Sequence, residues 1–163
     1  MRDADFERLY EREAQGLYGF LAYRTGDRAL AEDLLADTFE RALRARRGFD
    51  RRRGTERNWL YAIALNLLRD HARRAATEGR AVERVRSGAP LATDSGADAV
   101  ERRDELQRAL ATLGEEEREA VALRFGAELT VPEMAEVLSL PLSTVEGRVY
   151  RALRKLRSQL GDG

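Results

Sequence analysis

Cysteine is absent from the 163-residue sequence, and histidine occurs only once, at His71. Without cysteine the chain can form no disulfide, thiolate metal site or thiol redox sensor. One histidine provides no metal-ligand cluster, and no glycine-rich phosphate loop accompanies it. We therefore predict that the protein is not an enzyme and has no catalytic residue, no bound metal and no cofactor.

Long apolar runs are also missing. The longest one, from Trp59 to Leu68, is interrupted by Asn66 and is too short to cross a bilayer. The chain does not open with a basic segment followed by an apolar one, as a secretory leader would. These patterns predict a cytoplasmic protein without membrane insertion.

Residues that oppose helix formation are scarce. Proline occurs three times and aromatic residues make up 7% of the chain. Alanine, leucine, arginine and glutamate are abundant, and these favour helices, whereas the β-branched residues that favour strands are few. We predict an all-α fold. At this length the chain can form one medium domain or two small ones.

The formal net charge is zero, but the charges are unevenly distributed. Residues 1–40 carry a net charge of −5, 41–86 of +9, 87–137 of −7 and 138–163 of +3. Two basic blocks therefore alternate with two acidic ones. The basic blocks can form surfaces that bind a polyanion, although each charge run is also compatible with an ordinary solvated helix face.

The first half of the chain has the spacing of helices. Apolar residues from Phe6 to Leu21 recur every three or four positions, which predicts a first helix. Gly26 and Asp27 then break the pattern and supply a cap for a second helix. A third helix is predicted from Thr55, as N-cap, to about Arg74. Its expected core face is Trp59, Leu60, Ile63, Ala64 and Leu67.

Two segments lack a helical pattern. Residues 46–57 are rich in arginine, contain two glycines and have no apolar period, so we predict an irregular basic loop around Phe49. Residues 76–97 lose large apolar side chains and gain glycine, serine and threonine, which is typical of a linker. We place the domain boundary there, with domains at 1–75 and 98–163.

The most informative motif lies near the end of the chain. Residues 130–133 have the form of a capping box, residues 139–142 resemble a turn, and residues 143–146 have the form of a second capping box. This order predicts a helix-turn-helix whose second helix runs to about Gln159. Its apolar face would be Val145, Val149, Ala152, Leu153 and Leu156. The opposite face is cationic and suits DNA, although a helical hairpin with a solvated basic face has the same pattern.

Two blocks of sequence, one on each side of the linker, resemble the extracytoplasmic function (ECF, group IV) sigma factors of the sigma-70 family. The first block combines the string at 31–39, AEDLLADTF, with 58–66, NWLYAIALN, followed by Asp70, Arg73 and Arg74. The second runs from Leu113 to Phe125 and continues through the helix-turn-helix to the string at 148–153, RVYRAL.

The resemblance implies a bacterial initiation factor that binds core RNA polymerase, through the β′ clamp helices and the β subunit, and directs it to promoters. It also implies control by an anti-sigma factor, and association with the nucleoid when the chain is bound to polymerase. The positions implied to bind polymerase lie on the outward face of the second helix. They are Asp33, Ala36, Asp37 and Arg41.

The resemblance further implies two contacts with promoter DNA. Opening the −10 element needs a pocket for an unstacked base, and we expect this pocket at the basic loop beside Asn66. The expected −10 residues are Phe49, Asn66, Arg69, Arg73 and Arg74. The helix-turn-helix would read the −35 element in the major groove through Ser143, Thr144, Glu146, Arg148, Arg151 and Lys155.

Some of these residues have another interpretation. Phe49 is equally explained as a loop anchor packed into the core, and for Trp59 a core position is preferred to a stacking role. Glu146 can accept a hydrogen bond from cytosine or cap its own helix, and we favour capping. The alternative function for the whole chain is a helix-turn-helix regulator that acts without polymerase, but such a regulator would not need the first block.

Overall fold

The computed structural model describes residues 1–79 and 97–161, except for the side chain of Arg103. These two ranges contain seven α-helices and no strand, which confirms the all-α prediction. The helices are α1 (Asp3–Thr25), α2 (Arg28–Ala45), α3 (Glu56–Thr77), α4 (Ala97–Ala111), α5 (Glu115–Val121), α6 (Val131–Leu138) and α7 (Leu142–Gln159). No helix in the described part of the chain is long and apolar enough to span a membrane.

Helices α1, α2 and α3 form the first domain. The turn between α1 and α2 is the predicted one: Gly26 adopts a left-handed conformation with φ 66°, and the Asp27 side chain accepts a hydrogen bond from Leu30 N at 3.2 Å. Phe20 of α1 and Tyr61 of α3 meet edge to face in the buried core. Because the apolar stripes of the three helices face one another, the charged stripes remain outside.

The basic loop between α2 and α3 contains two short 3-10 turns, Arg46–Gly48 and Arg51–Arg53. The Asp50 side chain accepts a hydrogen bond from Arg52 N at 3.0 Å. The Thr55 hydroxyl accepts one from Asn58 N at 3.1 Å, so the predicted N-cap of α3 is confirmed. The loop is therefore ordered by local caps in its middle and at its end.

The second domain is built from α4 to α7, with a π-helical segment, Ala122–Gly126, extending α5. The first capping box is confirmed, because Thr130 N donates to Glu133 Oε1 and Glu133 N donates to Thr130 Oγ1. The second one is wrong. Helix α7 begins at Leu142 after Pro141, so Ser143 lies within its first turn and Glu146 caps nothing. Proline at the N-cap leaves the start of α7 without a side-chain cap.

The apolar face of α7 was predicted correctly except at one position. Val145 and Ala152 are fully buried, and Val149 and Leu156 pack against the core. Leu153, however, is 42% exposed. Only a narrow stripe of α7 is covered, because the helix packs mainly on the short α5.

The two domains are packed against each other. Helix α1 contacts the π-helical segment and helix α3 contacts α6. As a result, one cluster of buried side chains extends from Leu9 and Phe20 in the first domain to Leu123 and Met134 in the second. Most of the segment expected to be the linker, residues 80–96, lies outside the described residues. Helix α3 continues to Thr77 and α4 begins at Ala97.

Candidate nucleic-acid interface

The outward face of α2 carries the four positions expected to bind polymerase. Asp33, Ala36, Asp37 and Arg41 are all exposed. On the opposite side of α2, Ala31, Leu34 and Phe39 are buried. The helix thus presents a mixed acidic and basic surface that no other element of the first domain covers.

A cavity of about 230 Å³ lies at the basic loop. The Phe49 and Trp59 rings pack against each other there, with centroids 5.1 Å apart and planes tilted by 52°. Each ring is half-buried, so Phe49 both anchors the loop and lines the cavity, and Trp59 packs on the core while facing it. The remaining wall consists of Gly48, Asp50, Arg53, Gly54, Thr55, Asn58, Ala62 and Glu136.

Asn58 is the polar group at the base of this cavity. It is only 4% exposed, its Nδ2 donates a hydrogen bond to Glu136 Oε2 at 2.6 Å, and its buried Oδ1 has no hydrogen-bond partner in the described structure. The sequence had placed Asn66 beside the loop, and this was wrong. Asn66 lies two helical turns further along α3, where it is exposed and lines a different cavity.

The polar stripe of α3 faces that second cavity, which lies between the domains and measures about 1050 Å³. Asn66, Arg69 and Arg73 line it on one side, and Glu115, Glu116 and Glu119 on the other. Arg69 Nη2 donates to Glu119 Oε1 at 3.0 Å across the domain boundary. The structure therefore brings these predicted −10 residues together, while Phe49 lies at the other cavity. Arg74 is also exposed.

Arg24 and Arg57 are two further cations of the first domain that contact the second. Arg24 pairs with Glu115. The Arg57 guanidinium donates to Ala127 O, pairs with Glu13 at 3.4 Å and lies 5.9 Å from the centre of the Tyr61 ring. Burial of Tyr61 raises the pKa of its hydroxyl to about 12, so this phenol stays neutral beside the cation.

The outward face of α7 carries the positions expected to read duplex DNA. Ser143, Glu146, Arg151 and Lys155 are exposed and Thr144 is half-buried. Gly147 leaves room for the Arg151 guanidinium, whose Nη1 would lie 3.0 Å from a Cβ at that position. These side chains share the long exposed surface that a recognition helix requires.

Two cations of α7 are paired with α5. The Arg148 side chain is only 15% exposed and lies 3.3 Å from Glu116. Lys155 Nζ donates to Glu117 Oε2 at 2.9 Å, and this hydrogen bond is the main cause that lowers the pKa of Glu117. Arg148 is therefore turned toward the interdomain cavity, which it helps to line. Arg151 is the freer candidate for a bidentate contact with guanine.

The sequence reasoning missed Asn58 and Glu136. Asn58 belongs to a motif that was noticed, but its burial, which marks it as part of a polar pocket, cannot be read from the sequence. Glu136 gave no such signal, because its role depends on the packing of α6 against α3. Among the described residues there is no group of three or more histidine, cysteine or carboxylate side chains that could hold a metal ion.

Comparison with known families agrees with this division into two domains. Residues 9–78 match the model of Sigma-70 region 2, and residues 103–156 match that of Sigma-70 region 4. The first match contains the basic loop and the polar stripe of α3. The second contains the helix-turn-helix.

Individual relatives cover nearly the whole chain. The ECF RNA polymerase sigma factor BldN of Streptomyces coelicolor is 34% identical over 96% of this chain, which spans 61% of the length of that protein. The ECF RNA polymerase sigma factor SigW of Bacillus subtilis is 30% identical over 87% of this chain and 82% of its own. The structure of CnrH in complex with the cytosolic domain of CnrY superimposes with a TM-score of 0.72 at 26% identity, covering 98% of this chain and 89% of that one.

Proposed function

Because the chain belongs to the ECF RNA polymerase sigma factors of the sigma-70 family, we propose that it binds core RNA polymerase and directs transcription initiation at specific promoters. The observation that carries this proposal is the presence of both sigma-70 regions in one chain, each with its own cationic surface. A regulator that only binds DNA has no use for the first of them.

Each surface has a role in the proposed function. The exposed face of α2, at Asp33, Ala36, Asp37 and Arg41, docks on the β′ clamp helices. The loop cavity takes an unpaired base of the −10 element, while Arg69, Arg73 and Arg74 follow the phosphates of the strand. The outward face of α7 reads the −35 element in the major groove, with Arg151 as the principal base contact.

The domain limits that we propose are 1–75 for docking and melting, 76–97 for the linker and 98–163 for duplex recognition. The finer classification is group IV of the sigma-70 family. We propose that the protein catalyses no reaction of its own, works in the bacterial cytoplasm and joins the nucleoid when bound to polymerase. It takes its catalytic chemistry from the polymerase.

We also propose that an anti-sigma factor controls the chain. The similar protein CnrH was solved with the cytosolic domain of CnrY bound to it, so this fold can accept a second protein. The absence of cysteine and the single histidine leave this chain without an obvious sensor of its own. An anti-sigma factor that carries the sensor would make the activity of this chain depend on a signal.

Transcription with purified core polymerase tests the main proposal. The chain is added to core enzyme on fragmented genomic DNA, and transcript starts are mapped by sequencing. We expect starts that core alone does not produce, preceded by two shared sequence elements. The variant Asp37→Lys, changed on the docking face of α2, should lose these starts, while Glu105→Lys, changed on exposed α4, should keep them.

The same experiment can reject the proposal. If the chain binds duplex DNA but neither associates with core polymerase nor produces new starts, it is a helix-turn-helix regulator.

A further inference from the structure

We propose that the second domain covers the loop cavity of the first in the free protein, and that the Glu136 carboxylate occupies the place that an unpaired base would enter. This inference rests on the proposed function, since it assigns that cavity to promoter DNA. It adds a property of the chain alone: the helix-turn-helix domain and the single strand compete for one site.

Glu136 of the second domain contacts the wall of the loop cavity directly. Glu136 of α6 accepts a hydrogen bond from the Asn58 amide at 2.6 Å, and Asn58 is the buried polar group at the base of the cavity. A Cβ built at Gly54 would lie 2.4 Å from Glu136 Oε1. The carboxylate therefore reaches this depth only because residue 54 has no side chain.

Charge complementarity extends beyond the cavity. A neighbouring groove of about 870 Å³ has Glu133 and Glu136 of α6 on one side and the arginines of the basic loop on the other. These arginines lie beside the cavity that we propose for the unpaired base, so they can also meet the phosphates of the strand. Because carboxylates and phosphates carry the same sign, the acidic face of α6 takes the place of the strand.

Two ion pairs also join acidic side chains of the second domain to arginines of the first. Glu119 binds Arg69, and Glu115 binds Arg24, in both cases from α5 of the second domain to the first. Arg69 belongs to the stripe that we expect to follow the strand. The acidic block at 87–137 and the basic block at 41–86 thus meet in the folded chain rather than at separate solvated faces.

The competition follows from the hydrogen bonds. The Glu136 carboxylate lies against the Asn58 amide, where a base edge would have to lie to use that amide, and Arg69 cannot pair fully with Glu119 and with a phosphate. A strand that enters must therefore displace α6, and separation of the domains must increase the affinity for the strand. By linkage, the strand binds the open form and shifts the population toward it.

The test uses the full chain, and the absence of cysteine simplifies it. Cysteines introduced at exposed Gln15 and Ser158 carry a donor and an acceptor dye, one in each domain. Energy transfer reports closure. Anisotropy of a short labelled single-stranded oligonucleotide of mixed sequence reports strand binding. The variant Glu136→Gln is compared with Glu105→Gln, which removes the same charge from exposed α4.

We expect lower energy transfer in Glu136→Gln than in the parent, with strand affinity raised about three- to tenfold. Glutamine can still accept from Asn58, so the variant removes only the difference between a charge-assisted and a neutral hydrogen bond. Glu105→Gln should match the parent in both measurements. Equal behaviour of the two variants overturns the proposal. So does a loss of energy transfer without a gain in strand affinity.

If new transcript starts fail to appear but Glu136→Gln still opens the chain, the proposed function is rejected, whereas the closure of the loop cavity by the second domain is supported. If new starts appear but Glu136→Gln does not open the chain, only the proposed closure is rejected.

Discussion

The two surfaces predicted to bind DNA differ in how accessible they are. At the loop cavity and the stripe of α3, carboxylates of the second domain contact Asn58 and Arg69. On α7, Arg151 and Ser143 are exposed. Under our proposals, the free chain presents the surface for duplex DNA before the surface for a melted strand becomes accessible.

The partners of the charged groups explain this difference. Arg24 and Arg69 of the first domain pair with acids of the second, so these two pairs break when the domains separate. Arg148 and Lys155 pair with Glu116 and Glu117, which belong to their own domain. Opening would therefore free the surface proposed to bind the strand and would keep the pairs of Arg148 and Lys155.

The largest expected effect comes from weakening the apolar packing between the two domains. Leu123 is 0% exposed and lies in the π-helical segment that packs on α1. We expect Leu123→Ala to lower the free energy of unfolding by about 2–5 kcal/mol, the usual cost of a cavity in a core. Urea denaturation measures it. Leu160→Ala, at a residue 40% exposed, is the control, and similar losses for both variants would contradict the shared core.

The next effect sharpens the contrast between the surfaces. Arg151→Ala removes an exposed guanidinium from α7 and should weaken binding to promoter duplex by about 1–3 kcal/mol, the range of a bidentate base contact. Arg69→Ala, on the covered surface, should leave duplex binding of the free chain unchanged. Fluorescence anisotropy with a −35 duplex measures both. Equal losses would show that both surfaces meet the duplex.

A smaller effect concerns the covered surface alone. Thr55 Oγ1 caps α3 beside the cavity, and Thr55→Ala should cost about 1 kcal/mol of stability. Thr55→Ser keeps the acceptor oxygen and should restore most of it. Thermal unfolding followed by circular dichroism compares the two variants. No difference between alanine and serine would mean that the cap does not hold the loop.

The smallest effect concerns the pairs inside the second domain. The hydrogen bond from Lys155 is the main cause that lowers the pKa of Glu117 below its ordinary 4.5. A lowered carboxyl pKa stabilises the folded state above the unfolded pKa, and this stability is lost as pH falls through the lowered value. Lys155 is half exposed, so we expect only about 0.2–1 kcal/mol. Lys155→Met should cost this amount at pH 7 and nothing at pH 2, by urea denaturation.

The sequence was sufficient for the first three helices, for the helix-turn-helix and for the two domains, because caps and apolar spacing are local properties. Asp27, Thr55 and Thr130 act as predicted. The start of α7 was missed because a serine followed by a glutamate three residues later fits a cap, whereas the proline before them already defines the helix start. When two helix-start patterns overlap in this way, only the backbone conformation shows which of them begins the helix.

The site was harder to predict for a different reason. Helical spacing places the outward positions of α2 and the stripe of α3 on the surface, where the structure has them. Their roles in binding, which the resemblance implies, stay predictions. The pairing of Asn58 with Glu136, 78 residues apart, depends on how two domains pack. Charge patterning indicated that acidic and basic blocks alternate, but it could not show that they contact each other.

The shared core has a consequence for the lifetime of the protein in the cell. When α6 leaves α3, and the π-helical segment leaves α1, apolar surface that each domain had covered for the other becomes exposed. Exposed apolar surface on a partly opened chain is what proteases and chaperones recognise. Turnover should therefore depend on whether the chain is closed or held by a partner, and free open copies should be degraded first.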